Sequence, residues 1–196
     1  NQVTRHIPRA RAQLKLRTAC SFEPVVSKGG TRRRLDRSDH FWCEGVRRQA
    51  NLVELARRLT PQLEILHVHD WAPALVPMFV HAHGLPFSTV LTIHHVADQG
   101  SFWGLDFHLT NLPERFFTLH GVEFFGRLNF LKGGILYADR TTTVSEHYRR
   151  EILTAAGGCG LDGVLRENTH RLTAILDGVD YTRWNPASDR FLPTRY

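Results

Sequence analysis

The chain has 196 residues, of which 42% are hydrophobic and 22% are charged, a composition typical of one globular domain rather than of a disordered segment. The formal net charge of +6 comes largely from arginines near the start, but no aromatic residues interleave with them and no nucleic-acid-binding motif follows, so binding to nucleic acid is not expected. No apolar run approaches the roughly 18 residues of a membrane span, and no hydrophobic signal segment follows the first arginines, so no association with a membrane is expected.

The first half of the chain alternates between helical and strand-like patterns. Apolar residues at helical spacing predict an amphipathic helix that ends before Pro61. A short apolar run then predicts a buried strand, Gly84 and Pro86 close a second helix, and a segment rich in Val, Thr and Leu predicts a second strand. The segments are 39–59, 64–69, 72–83 and 87–93. A strand, a helix and a strand in this order indicate a βαβ unit.

The second half opens with a long loop-rich stretch, which inside a compact domain is usually functional. Two strands and three helices are predicted after it, and Ser145 is predicted to cap the middle helix. The loop is 94–126, the helices are 128–137, 146–155 and a short one around Val164, and the strands are 140–144 and 172–176. The whole order predicts an α/β fold with a doubly wound, Rossmann-like sheet.

Polar side chains follow each predicted strand. Because ligands bind at the carboxyl ends of the strands in such sheets, we expect Asp70, His94, Ser145 and Asp177 to lie along one rim. Asp70 is suited to accept a hydrogen bond from a hydroxyl beside the stacking ring of Trp71, and His94 is suited to donate one to a sugar hydroxyl or carbonyl.

The histidines allow two interpretations. His67 and His69 share one strand face, and together with His94 and His95 they could form the metal site of a hydrolase. His67 lies within an apolar run, however, which favours a hydrogen-bonded core histidine, and no metal site is predicted. The three cysteines, Cys20, Cys43 and Cys159, are far apart, which predicts no disulfide framework and is typical of a reducing cytoplasm.

Two glycine-rich loops are candidates for phosphate sites. Residues 157–160 (GGCG) do not follow a strand directly, so a turn that needs positive φ is favoured there. Lys28, Gly29 and Gly30 form a short pattern that could bring backbone N–H groups to a phosphate. Neither pattern is specific on its own.

Several longer strings in a fixed order are more specific. They are HVHDWAPALVP at 67–77, TVLTIHHVADQGSFWGLDF at 89–107, HGVEFFGRLNFLKGGILYADRTTTVSEHYRREILT at 120–154, GCGLDGVLR at 158–166 and AILDGVDYTRWNPASD at 174–189. Together they resemble the ADP-glucose-dependent glycogen and starch synthases, glycosyltransferase family five, from about Leu63 to Tyr196.

The resemblance implies a GT-B architecture, in which two Rossmann-like domains face each other across a cleft, and this chain corresponds to the N-terminal, acceptor-side domain. It implies transfer of glucose from ADP-glucose to the non-reducing end of an α-1,4-glucan with retention and without a metal or cofactor. His94 and Asp70 would be catalytic, and Asp177 would contact the donor sugar. Lys28, Gly29 and Gly30 would meet the donor phosphates.

The same resemblance implies that Trp71, His95 and Gln99 contact the glucan. The chain departs from the family pattern at Ser27 and Thr31, which replace the Lys and Leu of a K-x-G-G-L loop, and at Asp177, which replaces an Asn. We expect residues 1–61 to form a divergent or truncated N-terminal region that lacks the first strands of the sheet, and 62–196 to form the core of the catalytic domain.

Because the C-terminal GT-B domain is not in the sequence, the chain alone is expected to be inactive. The alternative is a non-catalytic glucan-binding remnant of a synthase gene. The sequence indicates no oligomeric state, and the choice between ADP-glucose and UDP-glucose depends on the resemblance alone.

Overall fold

The computed structural model describes residues 45–46, 49–56, 58 and 63–194. Predictions about the basic N-terminal arm, about the phosphate-binding Lys28, Gly29 and Gly30, and about Cys20 and Cys43 lie outside the described residues. The division at residues 61 and 62 therefore stays a prediction.

The centre of the fold is a parallel sheet of four strands. They are β1 (Ile65–His69), β2 (Ser88–Ile93), β6 (Arg140–Thr143) and β7 (Leu172–Ala174), and they lie side by side in the order β1-β2-β6-β7. In β1, Leu66 and Val68 are buried while Ile65, His67 and His69 are exposed, so the described residues cover only one face of this strand. The predicted α/β class with a parallel sheet is confirmed, and the described strands advance in one direction, as in one half of a doubly wound sheet.

Helices connect the parallel strands. Residues 45–46, 49–56 and 58 are helical (α1), in agreement with the amphipathic pattern. The others are α2 (Val76–Ala82), α3 (Phe130–Tyr137), α4 (Glu146–Ile152) and α5 (Asp162–Glu167). The side chain of Ser145 accepts a hydrogen bond from the backbone N–H of Tyr148, so the predicted cap is confirmed. Among the described residues, no helix is long and apolar enough to cross a membrane.

The stretch predicted as a long loop contains regular structure. It forms 3₁₀ helices at Gly104–Thr110 and Glu114–Phe116 and the strands β3 (Ser101–Trp103), β4 (Glu123–Phe124) and β5 (Arg127–Asn129). These three strands form a small antiparallel sheet in the order β3-β5-β4. Leu128 and Asn129 therefore belong to β5 rather than to the predicted helix, and the Asn129 side chain caps α3 by accepting from the N–H of Lys132.

Helices α2 and α3 approach each other closely over the sheet. Ala74 and Leu75, just before α2, and Leu131 and Ile135 in α3 are all buried. A Cβ atom on Gly134 would lie 2.8 Å from the carbonyl oxygen of Ala74, so this crossing leaves no room for a side chain at Gly134.

Lys132 is a buried cation within α3, with only 3% of its surface exposed. Its Nζ donates hydrogen bonds to the carbonyl oxygens of Leu119, at 2.7 Å, and Glu123, at 2.5 Å. Burial lowers the pKa of Lys132, against the opposing effects of Glu123 and Glu167. The amine therefore joins the start of β4 and the segment before it to the helix that covers the sheet.

Candidate functional site

The carboxyl ends of β1 and β2 bring Asp70 and His94 into direct contact. The carboxylate Oδ1 of Asp70 accepts hydrogen bonds from the backbone N–H of His94, at 2.8 Å, and of His95, at 3.2 Å. Asp70 adopts a φ of 56°, a region in which Asp and Asn are more frequent than other side chains. Its carboxylate therefore fixes the turn that follows β2.

A second side chain, from helix α4, is hydrogen bonded to the same turn. The phenol oxygen of Tyr148 in α4 accepts a hydrogen bond of 2.8 Å from the backbone N–H of Val96, and Val96 is 2% exposed. Three successive N–H groups, 94 to 96, are therefore bonded to Asp70 or Tyr148. The sequence alone does not identify Tyr148, since a tyrosine on an amphipathic helix carries no signal for this contact.

Replacing Asp70 with alanine is expected to lower the free energy of unfolding by about 2 kcal/mol, because two backbone donors lose a charged acceptor. The Asp70→Asn change should cost less than about 1 kcal/mol, since an amide oxygen can accept the same bonds and asparagine tolerates a positive φ. Urea unfolding followed by fluorescence compares Asp70→Ala and Asp70→Asn with the wild type. Equal losses in the two variants would contradict the role of Oδ1 as the acceptor that fixes the turn.

Three histidines form a cluster next to this turn. The Nδ1 atom of His69 lies 3.0 Å from Nε2 of His94, and the ring centroids of His67 and His69 are 4.4 Å apart. The Nε2 atom of His67 is 2.7 Å from Oγ1 of Thr92, which is hydrogen bonded in turn to Thr142. His67 is hydrogen bonded as predicted, but it is exposed rather than in the core, because its face of β1 is uncovered among the described residues.

The environment favours the neutral form of two of these rings. Burial, followed by the neighbouring His69 and His94, lowers the pKa of His67. Burial and then His94 lower the pKa of His69, while the carboxylates of Asp70 and Asp177 oppose that shift. Asp177 is therefore close enough to His69 to influence it. Within the described part of the chain, no group of three or more His, Cys, Asp or Glu side chains could hold a metal ion.

A cavity of about 550 Å³ opens beside Trp71. Its wall is formed by the indole of Trp71 and by the segment that follows the His94 turn, together with one residue of the glycine-rich loop; the lining residues are Trp71, Ala97, Asp98, Gln99, Gly100, Ser101, Phe102 and Cys159. A Cβ on Gly100 would lie 2.4 Å from Cε3 of Trp71, so a glycine is required for the ring to lie against this segment.

The amide of Gln99 fastens the cavity wall. Its Nε2 donates to the carbonyl oxygen of Cys159, at 2.8 Å, and its Oε1 accepts from Nδ2 of Asn129, at 2.7 Å. Cys159 has a φ of 50° and Gly160 a φ of 85°, which agrees with the predicted turn in the GGCG loop. Gln99 thus has a structural role as well as a place in the lining.

His95 and Ser145 lie at the same end of the sheet, and the His95 N–H is bonded to Asp70, but their side chains have other partners. His95 is exposed, and its Nδ1 lies 3.3 Å from the carboxylate of Asp98. Ser145 is on the predicted rim, but its hydroxyl caps α4. The structure brings together Asp70 and His94, with His69 against the His94 ring and Trp71 next along the chain from Asp70.

The chain was compared with known protein families and sequences. A family profile described as "Starch synthase catalytic domain" matches residues 46–167. The chain is 43% identical to a glycogen synthase of Opitutus terrae over 169 residues, which cover 82% of this chain and 34% of that protein. It is 47% identical to a glycogen synthase of Thioalkalivibrio sulfidiphilus over 133 residues, which cover 68% of this chain and 28% of that protein.

A solved structure shares the fold. The catalytic domain of Starch Synthase IV from Arabidopsis thaliana, bound to ADP and acarbose, superposes with a TM-score of 0.65 at 28% identity, over 78% of this chain and 34% of that one. The chain thus spans about a third of the length of the curated relatives it matches.

Proposed function

This chain belongs to the starch synthase catalytic-domain family, and on that basis we propose that its rim serves the transfer of glucose from ADP-glucose to the non-reducing end of an α-1,4-glucan with retention. The observation that carries the proposal is the junction of Asp70 and His94 at the ends of two paired strands. Because the chain spans about a third of its relatives, the complete reaction is proposed for the site together with the rest of such a protein.

His94 and Asp70 are proposed to act on the reacting sugar. In the transfer, the bond from C1 of glucose to the diphosphate breaks and a bond from C1 to an acceptor hydroxyl oxygen forms, through a cation-like sugar. The proton of that hydroxyl is lost, and the leaving diphosphate can accept it. Oriented dipoles at a site with little water stabilise such charge. The His94 side chain can supply one of these dipoles, and Asp70 supports it by fixing the backbone of the turn.

The acceptor glucan is proposed to lie against Trp71, with His95 and Gln99 nearby. The cavity beside Trp71 has the size of small-molecule sites, and the flat ring offers a surface on which a sugar can stack. Asp177 is proposed to contact the donor sugar, and Lys28, Gly29 and Gly30 its phosphates. No metal or cofactor is proposed, and the place of action is proposed to be the cytoplasm.

Affinity electrophoresis in gels that contain glycogen tests the acceptor side. The wild-type chain should migrate more slowly as glycogen is added, and Trp71→Ala should weaken this binding about tenfold or more, which corresponds to about 1.4 kcal/mol. Trp184→Ala is the matched control, because this exposed tryptophan lies outside the cavity. Wild-type migration that does not respond to glycogen would contradict the proposal, as would unchanged binding in Trp71→Ala.

Turnover is measured separately, as incorporation of labelled glucose from ADP-glucose into glycogen. The 196-residue chain alone is expected to incorporate none, because the proposed reaction also needs the part of the family's enzymes that it does not match. Incorporation by the purified chain would contradict that expectation and would establish the catalytic proposal directly. The His94→Ala variant would then show whether this side chain is required.

A further inference from the structure

We propose that His69 is a positioning residue, which holds the His94 ring through Nε2 and leaves Nδ1, the His94 nitrogen without a partner among the described residues, to bind a sugar hydroxyl. The inference rests on the proposed function, in which His94 contacts the reacting sugar, and it names the residue that orients it.

The contact is built on the most regular part of the fold. His69 is the last residue of β1 and pairs with Thr92 in β2, two residues before His94. The distance between Nδ1 of His69 and Nε2 of His94 is 3.0 Å, and their ring centroids are 5.2 Å apart. Sites carried by strands hold a side chain more tightly than sites on loops, so the His94 ring inherits the rigidity of the sheet.

Backbone and side chain of His94 are fixed by adjacent residues. The carboxylate of Asp70 binds the His94 N–H, while the neighbouring His69 binds the ring. With the main chain and Nε2 both engaged, rotation about the side-chain bonds of His94 would break a hydrogen bond. Among the described residues, no other protein group is hydrogen bonded to the ring of His94.

The pair also constrains the position of a proton. A hydrogen bond between two imidazole rings places a single hydrogen between them, and the hydrogen bond at one nitrogen of a histidine influences which of its nitrogens is protonated. The lowered pKa of His69, which burial and then His94 cause, supports a neutral partner at neutral pH. A hydroxyl both donates and accepts, so a sugar can bind Nδ1 of His94 in either tautomer.

Nuclear magnetic resonance of the ¹⁵N-labelled 196-residue chain, through long-range correlations of the histidine rings at neutral pH, tests the inference. The two nitrogens of His94 should have distinct shifts, one protonated and one not, as in a single tautomer. Averaged shifts in the wild-type chain would overturn the proposal before any variant is made.

Three variants separate His69 from its surroundings. His69→Phe keeps a ring against His67 but removes the nitrogen, and it should bring the two His94 nitrogens towards averaged shifts. His69→Asn keeps a polar atom near the position of Nδ1 and should restore part of the separation. His67→Gln, a change on the same strand face at a side chain that is hydrogen bonded to Thr92 rather than to His94, should leave the two His94 nitrogens distinct. If the ¹⁵N shifts of His94 do not change in His69→Phe, or if they change by the same amount in His67→Gln, the role of His69 is refuted.

Titration with ligands tests this inference separately from the proposed function. ADP-glucose and maltoheptaose are titrated separately into the wild-type chain, and a shift change at Nδ1 of His94 is expected with at least one of them. If neither ligand binds, the proposed function fails and the availability of Nδ1 to sugar is refuted with it. If a ligand binds while His69→Phe leaves His94 unaltered, the proposed function stands and the positioning role is refuted.

Discussion

Replacing Lys132 with methionine is expected to lower the free energy of unfolding by about 3 kcal/mol. Methionine fills nearly the same space but cannot donate, so the carbonyl oxygens of Leu119 and Glu123 lose their Nζ partner. A hydrogen bond from a charged donor contributes about 1.5 to 3 kcal/mol. Relief from burying a charge offsets part of the loss, and this is why the expected value lies below the sum for two acceptors.

Urea unfolding of Lys132→Met against the wild type gives this difference. Arg140→Met is the control, because its side chain is exposed and, within the part of the chain that the structure describes, its guanidinium donates only to the carbonyl of the preceding residue. A change within about 0.5 kcal/mol is expected there. Equal stability of Lys132→Met and the wild type would mean that the hydrogen bonds from Nζ do not stabilise β4 and the segment before it.

Replacing Gly134 with alanine is the second large effect, with an expected loss of about 2 to 3 kcal/mol in the free energy of unfolding. The new Cβ would lie 2.8 Å from the carbonyl oxygen of Ala74 and 3.1 Å from Cδ2 of Leu91. Forcing helices apart at such a contact costs about 1 to 3 kcal/mol or occasionally more. The better helix propensity of alanine returns less than about 1 kcal/mol of this.

The same substitution at Gly163 is the matched control. Gly163 lies in α5, and a Cβ there would meet nothing within 4 Å. Alanine at this position should therefore stabilise the chain by about 0.5 to 1 kcal/mol. Thermal unfolding should move the midpoint in opposite directions for the two variants, and a shared direction would contradict the close helix crossing at Gly134.

The parallel sheet could be predicted from sequence because each strand is a short segment composed mostly of apolar or β-branched residues. The run at 65–69 and the threonines at 141–143 give β1 and β6 to within a residue or two. The small antiparallel sheet could not be predicted, since its strands have only two or three residues. A run that short has no measurable periodicity.

The candidate site could be predicted as a set of residue types but not as a geometry. Position after a strand is enough to select Asp70 and His94, because strand ends meet at one edge. That Asp70 binds backbone N–H groups depends on its positive φ, which sequence spacing does not encode. The partners of Gln99 are 30 and 60 residues away, so its bridging role also depends on the folded chain.

The strand order β1-β2-β6-β7 has a consequence for synthesis on the ribosome. Each described strand of the parallel sheet joins the free edge of the parallel strand that was made before it, so none of these four strands has to insert between two strands that are already paired. The residues between β2 and β6 carry their own antiparallel sheet, whose β4–β5 pair can close locally while β6 is still being made. While the parallel sheet grows in this order, its growing side has a single unpaired edge, which belongs to the strand made last. Only that edge is available there for pairing with another nascent chain.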